Sequence, residues 1–384
     1  MNILFFELKK YVFKPSIIVC LVLFSLINFV KFFEMYYYFG GGRAALSGDT
    51  MSAGYNLLYE KYGGEITNEK IEGLKAELSQ ANAKLEKYGI ITEPIEDSYC
   101  GFPYGDVSLI ERIISDYEYS ILYVNDANEK ASDALKNIEF YKERSDYEVR
   151  KNSLIYSAFK GRIVDSYVKS SGGWTSFFDY KFSSILSMLL ISLIIAPIFA
   201  SEKGSGFDKI IKSSGKTGIV VSSKLIAAFL VTLSVTLLFW GLDLLYANGV
   251  YGLYCFDAPI YGISEYANCS LNITLFGAAL LAFVARLAAM LFFVSVTLLI
   301  SSLCGNSGLA LTVTMVFAGC LIIVSEVLPP EFNPLSLVYM SDFFQDFGII
   351  NLFGLPVMTI LFVIGFTVLL TLVFTFITAK RGMR

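Results

Sequence analysis

Histidine is absent from this chain of 384 residues. Its absence excludes catalytic triads that use histidine, histidine metal sites and switches that depend on imidazole protonation. The six cysteines form no Cys-x-x-Cys pair and show no metal-ligand spacing. No Ser-Lys dyad and no acidic pair at a shared membrane depth are recognisable in the sequence. We therefore predict neither a metal site nor an enzyme.

Charge is also scarce along much of the chain. Hydrophobic residues make up 55% of it, and the mean hydropathy is +0.59. Soluble domains are about 45–50% apolar and lack apolar runs of about 20 residues. Runs long enough to cross about 30 Å of hydrocarbon as helices cover residues 14–32, 182–200, 224–247, 273–303, 308–328 and 352–378. The sequence predicts an all-α polytopic membrane protein with six transmembrane helices, the last five within residues 180–378.

Basic residues mark one side of the predicted membrane. They occur in residues 1–13, in the loop 201–223 and in the tail 379–384, whereas the loops 248–272 and 329–351 contain neither Lys nor Arg. Lysine and arginine accumulate in cytoplasmic loops. We therefore expect a multi-pass protein of the cell membrane with both termini cytoplasmic and the other two loops outside.

Residues 1–13 have an amphipathic pattern. Leu4 and Leu8 fall on one side of a helical wheel, and Glu7 and Lys10 fall on the other. This pattern is typical of a helix that lies flat in the membrane interface; a simple extension of the first span is the alternative. No small-x-small cleavage site follows the first run, so we expect that span to be retained.

A polar region, residues 33–179, separates the first two spans and is predicted to be an extracellular helical domain. Two apolar seams with 3-4 spacing predict an antiparallel, coiled-coil-like hairpin, and a third helix is expected over residues 147–169. The alternative is that the domain is only a spacer. The seams are Ile71, Leu74, Leu78, Ala81 and Leu85, then Val107, Ile110, Ile114, Tyr117, Ile121, Val124, Asn128, Ala131, Leu135 and Ile138.

The basic, glycine-rich segment 202–224 is the most informative loop. It contains Gly215-Lys216-Thr217, which is similar to part of a phosphate-binding loop, but Ile210 stands where that motif needs glycine. We therefore predict that this chain binds no nucleotide. Charge and spacing leave two alternatives: a short helix between glycine joints that docks on a cytoplasmic partner, or an ordinary positive-inside loop.

Three short runs within and beside this loop resemble a permease subunit of the type-2 exporter class of ATP-binding-cassette transporters. They cover residues 199–204, 210–216 and 223–225. That family has an acidic residue and a glycine after the second span, a short helix that ends near Ser-x-x-Arg/Lys, and a lysine that opens the third span. The matching positions are Glu202, Gly204, Ser213, Lys216 and Lys224.

The general layout resembles the same family, from the interfacial helix to the proline-bearing outer segment before the last span. The resemblance implies an exporter of a peptide or lipid-like substrate, with two ATPase subunits that bind ATP and Mg²⁺ and a second permease chain, identical or homologous. We expect no cofactor in this chain and no nucleic-acid partner, but we do expect contact with membrane lipid. The implied ATPase-coupling residues are Glu202, Lys203, Gly204, Lys209, Lys212, Ser213, Lys216 and Lys224. The competing class is a non-transporting sensor or scaffold whose extracellular domain binds a ligand or an envelope partner.

Charged residues also interrupt three of the apolar runs. Arg286, Asp243 and Glu326 are predicted to form a polar cluster in the outer leaflet, in which Arg286 pairs with Asp243 or Glu326. Alternatively, Arg286 lies near the outer interface and extends its guanidinium to water.

The outer face carries three further predictions. Cys255 and Cys269 share one outer loop, where a disulfide is one of two open alternatives. Residues 329–351 suit a re-entrant or interfacial pair of helices. An aromatic belt at the outer interface is expected at Trp174, Phe177, Phe178 and Tyr180.

Overall fold

The computed structural model of the chain describes residues 3–35, 48–90, 94–165, 171–325 and 327–383. It is 79% helical, and six of its helical segments are long and apolar enough to cross a membrane. The predicted fold class, an all-α polytopic membrane protein, is confirmed. Within the described ranges the strands amount to one short antiparallel pair.

The first part of the chain comprises an amphipathic helix, the first span and an inserted domain. The helices are α1 (Ile3–Tyr11), α2 (Pro15–Met35), α3 (Gly48–Tyr62), α4 (Asn68–Tyr88), α5 (Pro103–Tyr141) and α6 (Asp146–Phe159). We call α3 to α6 the helical domain.

The second part contains the remaining spans. Its elements are α7 (Ser171–Asp179), α8 (Phe182–Ile195), α9 (Pro197–Ser205), α10 (Phe207–Ser213), α11 (Thr217–Tyr251), α12 (Leu275–Leu303), α13 (Ser307–Ser325), α14 (Met340–Gln345), β1 (Ile349–Leu352), β2 (Leu355–Met358) and α15 (Thr359–Met383). We call the side of the bundle where α1 begins and α15 ends the termini end.

Two spans form the centre of the bundle, and three lie at its periphery. The most apolar stretch is 72% buried in segment Gly172–Ser205 and 67% buried in α12, but only 11% buried in α2 and 17% buried in α13 and in α15. The exposed faces of the peripheral helices are rich in large apolar side chains. Because hydrocarbon does not repel such side chains, these faces suit lipid or a second membrane chain.

The second span is interrupted between α8 and α9, where Pro197 occupies the first position of α9. Proline is tolerated there because the amide of that position has no partner in the helix. Ser301 of α12 binds the backbone at the interruption: its hydroxyl donates to the Ala196 carbonyl at 2.6 Å and accepts from the Phe199 amide at 3.0 Å. The interruption is therefore tied to α12, the other central span.

The predicted aromatic belt is wrong, because its four members are buried inside the protein. Trp174, Phe177, Phe178 and Tyr180 all belong to the main core. The indole Nε1 of Trp174 donates to the Tyr254 carbonyl at 2.8 Å. We therefore assign α7 to the membrane part, ahead of the boundary expected at residue 179.

The helical domain contains the predicted antiparallel hairpin, formed by α4 and α5. Lys75 of α4 lies 3.0 Å from the carboxylate of Glu118 of α5, and the connection between the helices lies at the opposite end of the pair. Leu74, Ile110 and Tyr117 share the core of this hairpin. The expected third helix is α6, which ends at Phe159.

The second half of the predicted α5 seam is wrong except at Ala131. Ile121 and Leu135 are exposed, whereas Ala131 is buried together with Tyr123 and Ala127, which the seam did not include. These three residues belong to a separate core that α6 completes. Since α5 has 39 residues and α4 has 21, α5 extends beyond the end of its first partner. The buried face rotates where α6 replaces α4.

The helical domain is fixed to the loop between α11 and α12 by a buried arginine, Arg162. Its Nη1 donates to the Tyr123 hydroxyl at 2.7 Å, its Nη2 to the Cys269 carbonyl at 2.6 Å, and its Nε to the Asn272 side chain at 2.9 Å. A buried guanidinium is tolerated when its donors are satisfied in this way. The domain therefore packs directly on the membrane part through this residue.

The segment before the last span differs from the predicted helix pair. It contains two short 3₁₀ helices, Pro330–Phe332 and Pro334–Val338, then α14 and the β1–β2 hairpin. The hairpin turn is Phe353-Gly354, with φ angles of 51° and 85°, as a two-residue turn with positive φ at both positions requires. The alternation of apolar and acidic residues favoured a helix pair, but the segment ends in a strand pair that begins at residue 349.

Candidate functional site

The loop at the termini end folds into a helical elbow, formed by α9, α10 and the two glycines that flank α10. Gly206 and Gly215 have φ angles of 75° and 69°, a left-handed conformation that favours glycine. Gly204 packs against the turn after α12, since a Cβ atom there would lie 3.2 Å from the Gly305 carbonyl oxygen. The predicted short helix between glycine joints is thus α10.

Two of the predicted coupling residues are buried and paired with each other. The Lys224 ammonium, near the start of α11, binds the Glu202 carboxylate of α9. Lys10 of α1 lies 3.0 Å from the other carboxylate oxygen of Glu202. We call Glu7, Lys10, Glu202 and Lys224 the inner cluster. It joins the first helix to both spans that flank the elbow.

Burial and neighbouring charges shift the pKa values of two residues of the inner cluster, Lys10 and Glu7. Burial by itself lowers the pKa of Lys10, but hydrogen bonds to Tyr11 and Glu202 outweigh this effect and raise the pKa to about 12. Burial raises the pKa of Glu7, and attraction to Lys224 and Lys10 opposes that rise. One Glu7 oxygen, Oε2, is buried without a hydrogen-bond partner among the described residues. The cluster is therefore incompletely satisfied.

The other predicted coupling residues are more accessible. Lys209, Lys212, Ser213 and Lys216 are exposed on and beside α10, as is Gly204. Lys203 is half-buried and donates to the Ser302 carbonyl of α12. The eight residues thus divide into five that are exposed, the half-buried Lys203 and the buried pair.

Sequence reasoning missed the apolar part of the elbow surface. Phe207 is 58% exposed and Ile210 is 63% exposed. Their spacing of three residues places them on one face of α10, and Lys209 and Lys212 lie on the other side of the helix. That spacing was visible in the sequence, although the positive charge of the loop drew the interpretation to its lysines.

A second ionic network lies within the bundle, toward the helical domain. Arg286 of α12 donates to Asp243 of α11 at 2.8 Å. Asp243 also accepts from Asn28 of α2 at 2.9 Å and from Ser183 of α8 at 2.5 Å. The Tyr180 hydroxyl donates to the Asn28 side-chain oxygen at 2.8 Å. We call these five residues the outer cluster.

Both charges of the outer cluster are buried, and both oxygens of Asp243 are bound. The structure pairs Arg286 with Asp243, one of the two partners suggested by the sequence, and does not place the guanidinium in water. Glu326, the other suggested partner, lies outside the described residues. Because the network joins α2, α8, α11 and α12, its geometry suits helix packing.

Cys255 and Cys269 do not form a disulfide in the structure. The Cys255 thiol interacts with Tyr59 of α3, whereas the Cys269 thiol is buried near Arg162, and this burial raises its pKa. The helical domain contacts each thiol separately, so the two face different neighbours.

Comparison of the chain with protein-family models, with curated proteins and with solved structures found no match in any of the three.

Proposed function

We propose that this chain is the membrane-spanning permease subunit of an ATP-driven exporter of the ATP-binding-cassette type. The observation that supports this most is the exposed apolar face of α10, where Phe207 and Ile210 lie one turn apart. Large apolar side chains that a partner can bury are typical anchors of protein interfaces. The partner on this face is a cytoplasmic ATPase, which binds ATP and Mg²⁺.

The inner cluster supports a coupling role for the same elbow. The Glu202–Lys224 pair joins the end of α9 to the start of α11, so a displacement of α10 is shared by both spans. The chain supplies the substrate path and the coupling, and the ATPase supplies the hydrolysis. In this proposal the termini end is cytoplasmic, as the distribution of lysine and arginine predicts.

A second permease chain, identical or homologous, completes the proposed transporter. The exposed apolar faces of α2, α13 and α15 are the surfaces that would contact lipid and the second chain. The substrate path runs between the two chains and opens alternately to each side. A peptide or lipid-like, amphipathic substrate is proposed on the family resemblance.

Co-purification tests the partner directly. The tagged full chain, extracted from its own membrane in mild detergent, should retain a protein with an ATP-binding cassette, and the eluate should hydrolyse ATP. The double variant Phe207→Asp/Ile210→Asp should weaken retention at least about tenfold, because it removes both anchors. The matched control is Leu122→Asp/Leu135→Asp, which changes two equally apolar, exposed residues of α5.

The result that would overturn the proposal is a chain that purifies without any ATPase, or equal loss of the ATPase from both double variants. A chain that purifies alone while its helical domain retains an external ligand would instead support a membrane sensor or scaffold. The size-exclusion volume of each variant shows whether it is folded.

A further inference from the structure

A second surface at the termini end lies beside the elbow, between the ends of α12 and α15. It is a groove with a volume of about 710 Å³. Four cationic side chains line it: Lys203, Lys212, Lys380 and Arg381. Lys380 and Arg381 occupy the last turn of α15, where the helix dipole favours cationic side chains.

The groove has a large excess of positive charge. None of the described residues that line it is acidic. Asp208 lies 3.8 Å from Lys212 and also attracts Lys203, so this one carboxylate offsets part of the positive charge. Four cations that converge on one groove repel one another, and an anion placed among them relieves that repulsion.

The rest of the lining, which we call the apolar wall, is apolar. It consists of Leu299, Leu303, Phe376 and Ile377. Phe376 is 68% exposed, and exposed Leu369, Leu372 and Val373 continue the same helix toward the middle of the membrane. The apolar wall is therefore continuous with the lipid-facing surface of α15.

We propose that this groove binds an anionic phospholipid, with the phosphate among the four cations and an acyl chain along α15. The charges select an anionic headgroup, since each lysine or arginine near an anionic membrane surface contributes about 1 kcal/mol. The apolar wall distinguishes a lipid from a soluble phosphate compound, which has nothing to place against Leu303 and Phe376. This site does not depend on the proposed transport function.

Native mass spectrometry of the full chain in detergent tests the proposal, with dioleoylphosphatidylglycerol and dioleoylphosphatidylcholine as probes. The wild-type chain should retain the anionic lipid in preference to the zwitterionic one. Lys380→Gln/Arg381→Gln should lower that preference about tenfold or more, because two of the four charges are lost. Lys380→Arg/Arg381→Lys keeps both charges and should keep the preference.

The matched control is Lys209→Gln/Lys216→Gln, which removes two exposed lysines of the same loop that do not line the groove. It should leave the preference unchanged. Equal losses in the two glutamine variants would overturn the site, since the binding would then depend on general charge. Displacement of the lipid by millimolar glycerol phosphate would show that a soluble phosphate compound suffices, and would equally overturn a lipid site.

Discussion

The outer and inner clusters use the same chemistry at opposite ends of the bundle but differ in completeness. In the outer cluster, Asp243 is fully buried and both of its oxygens are bound. In the inner cluster, the Lys10 side chain is 34% exposed and one Glu7 oxygen has no partner among the described residues. The difference indicates that the outer cluster holds its helices more rigidly than the inner cluster does.

The largest expected effect comes from breaking the outer cluster. Asp243→Ala leaves Arg286 buried without a counter-ion, and loss of one partner of a buried pair costs about 3–5 kcal/mol of unfolding free energy. Unfolding in mixed micelles, followed by circular dichroism, measures it. Asp243→Leu/Arg286→Met removes both charges and should recover most of the loss. A double variant as unstable as Asp243→Ala would show that the pair is not the cause.

The inner cluster should tolerate the equivalent change better. In Lys224→Met, Glu202 keeps its ion pair with Lys10, so we expect a loss of about 1–3 kcal/mol. The same unfolding measurement compares the two ends. If Lys224→Met lowered the unfolding free energy as much as Asp243→Ala, the inferred difference in rigidity between the two clusters would be wrong.

A smaller effect is expected where α1 meets α9. The Tyr11 hydroxyl donates to the Ile198 carbonyl at 3.1 Å, and Tyr11→Phe removes this bond at a cost of about 0.5–1.5 kcal/mol. Tyr156→Phe, in the helical domain, serves as the control. An equal effect of both variants on unfolding would contradict a specific role for the hydroxyl.

The smallest effect concerns Glu7 and depends on pH. Its folded-state pKa lies above the ordinary 4.5, so the folded protein binds the proton more tightly than the unfolded chain. The corresponding stability is complete below pH 4.5 and is lost as pH rises through the folded pKa. Glu7→Gln should reduce the pH dependence of the unfolding midpoint in the window that begins at pH 4.5. An unchanged pH profile would show that Glu7 is not the titrating group.

The sequence was sufficient for features that depend on local pattern. Apolar runs located the spans, and the Ile71–Leu85 spacing located α4 because both ends of each pattern lie on one element. It failed where a side chain meets distant partners. The partner of α5 changes from α4 to α6 along its length, and no spacing encodes that change.

Long-range pairs explain the remaining errors at the site. Glu202 and Lys224 are 22 positions apart, and only the bend at α10 brings them together. The sequence therefore placed both on a contact surface. Arg162 escaped notice because two of its partners, Cys269 and Asn272, lie more than 100 positions away, in the loop between α11 and α12.

The two glycines around α10 have a mechanical consequence. No heavy atom lies within 4 Å of a Cβ built at Gly206 or at Gly215, so the left-handed backbone at each position, and not crowding, is what favours glycine there. The seven-residue helix between them is about 10 Å long and is held at its ends by local hydrogen bonds. A force on α10 would therefore displace it as one rigid unit and reach both bends.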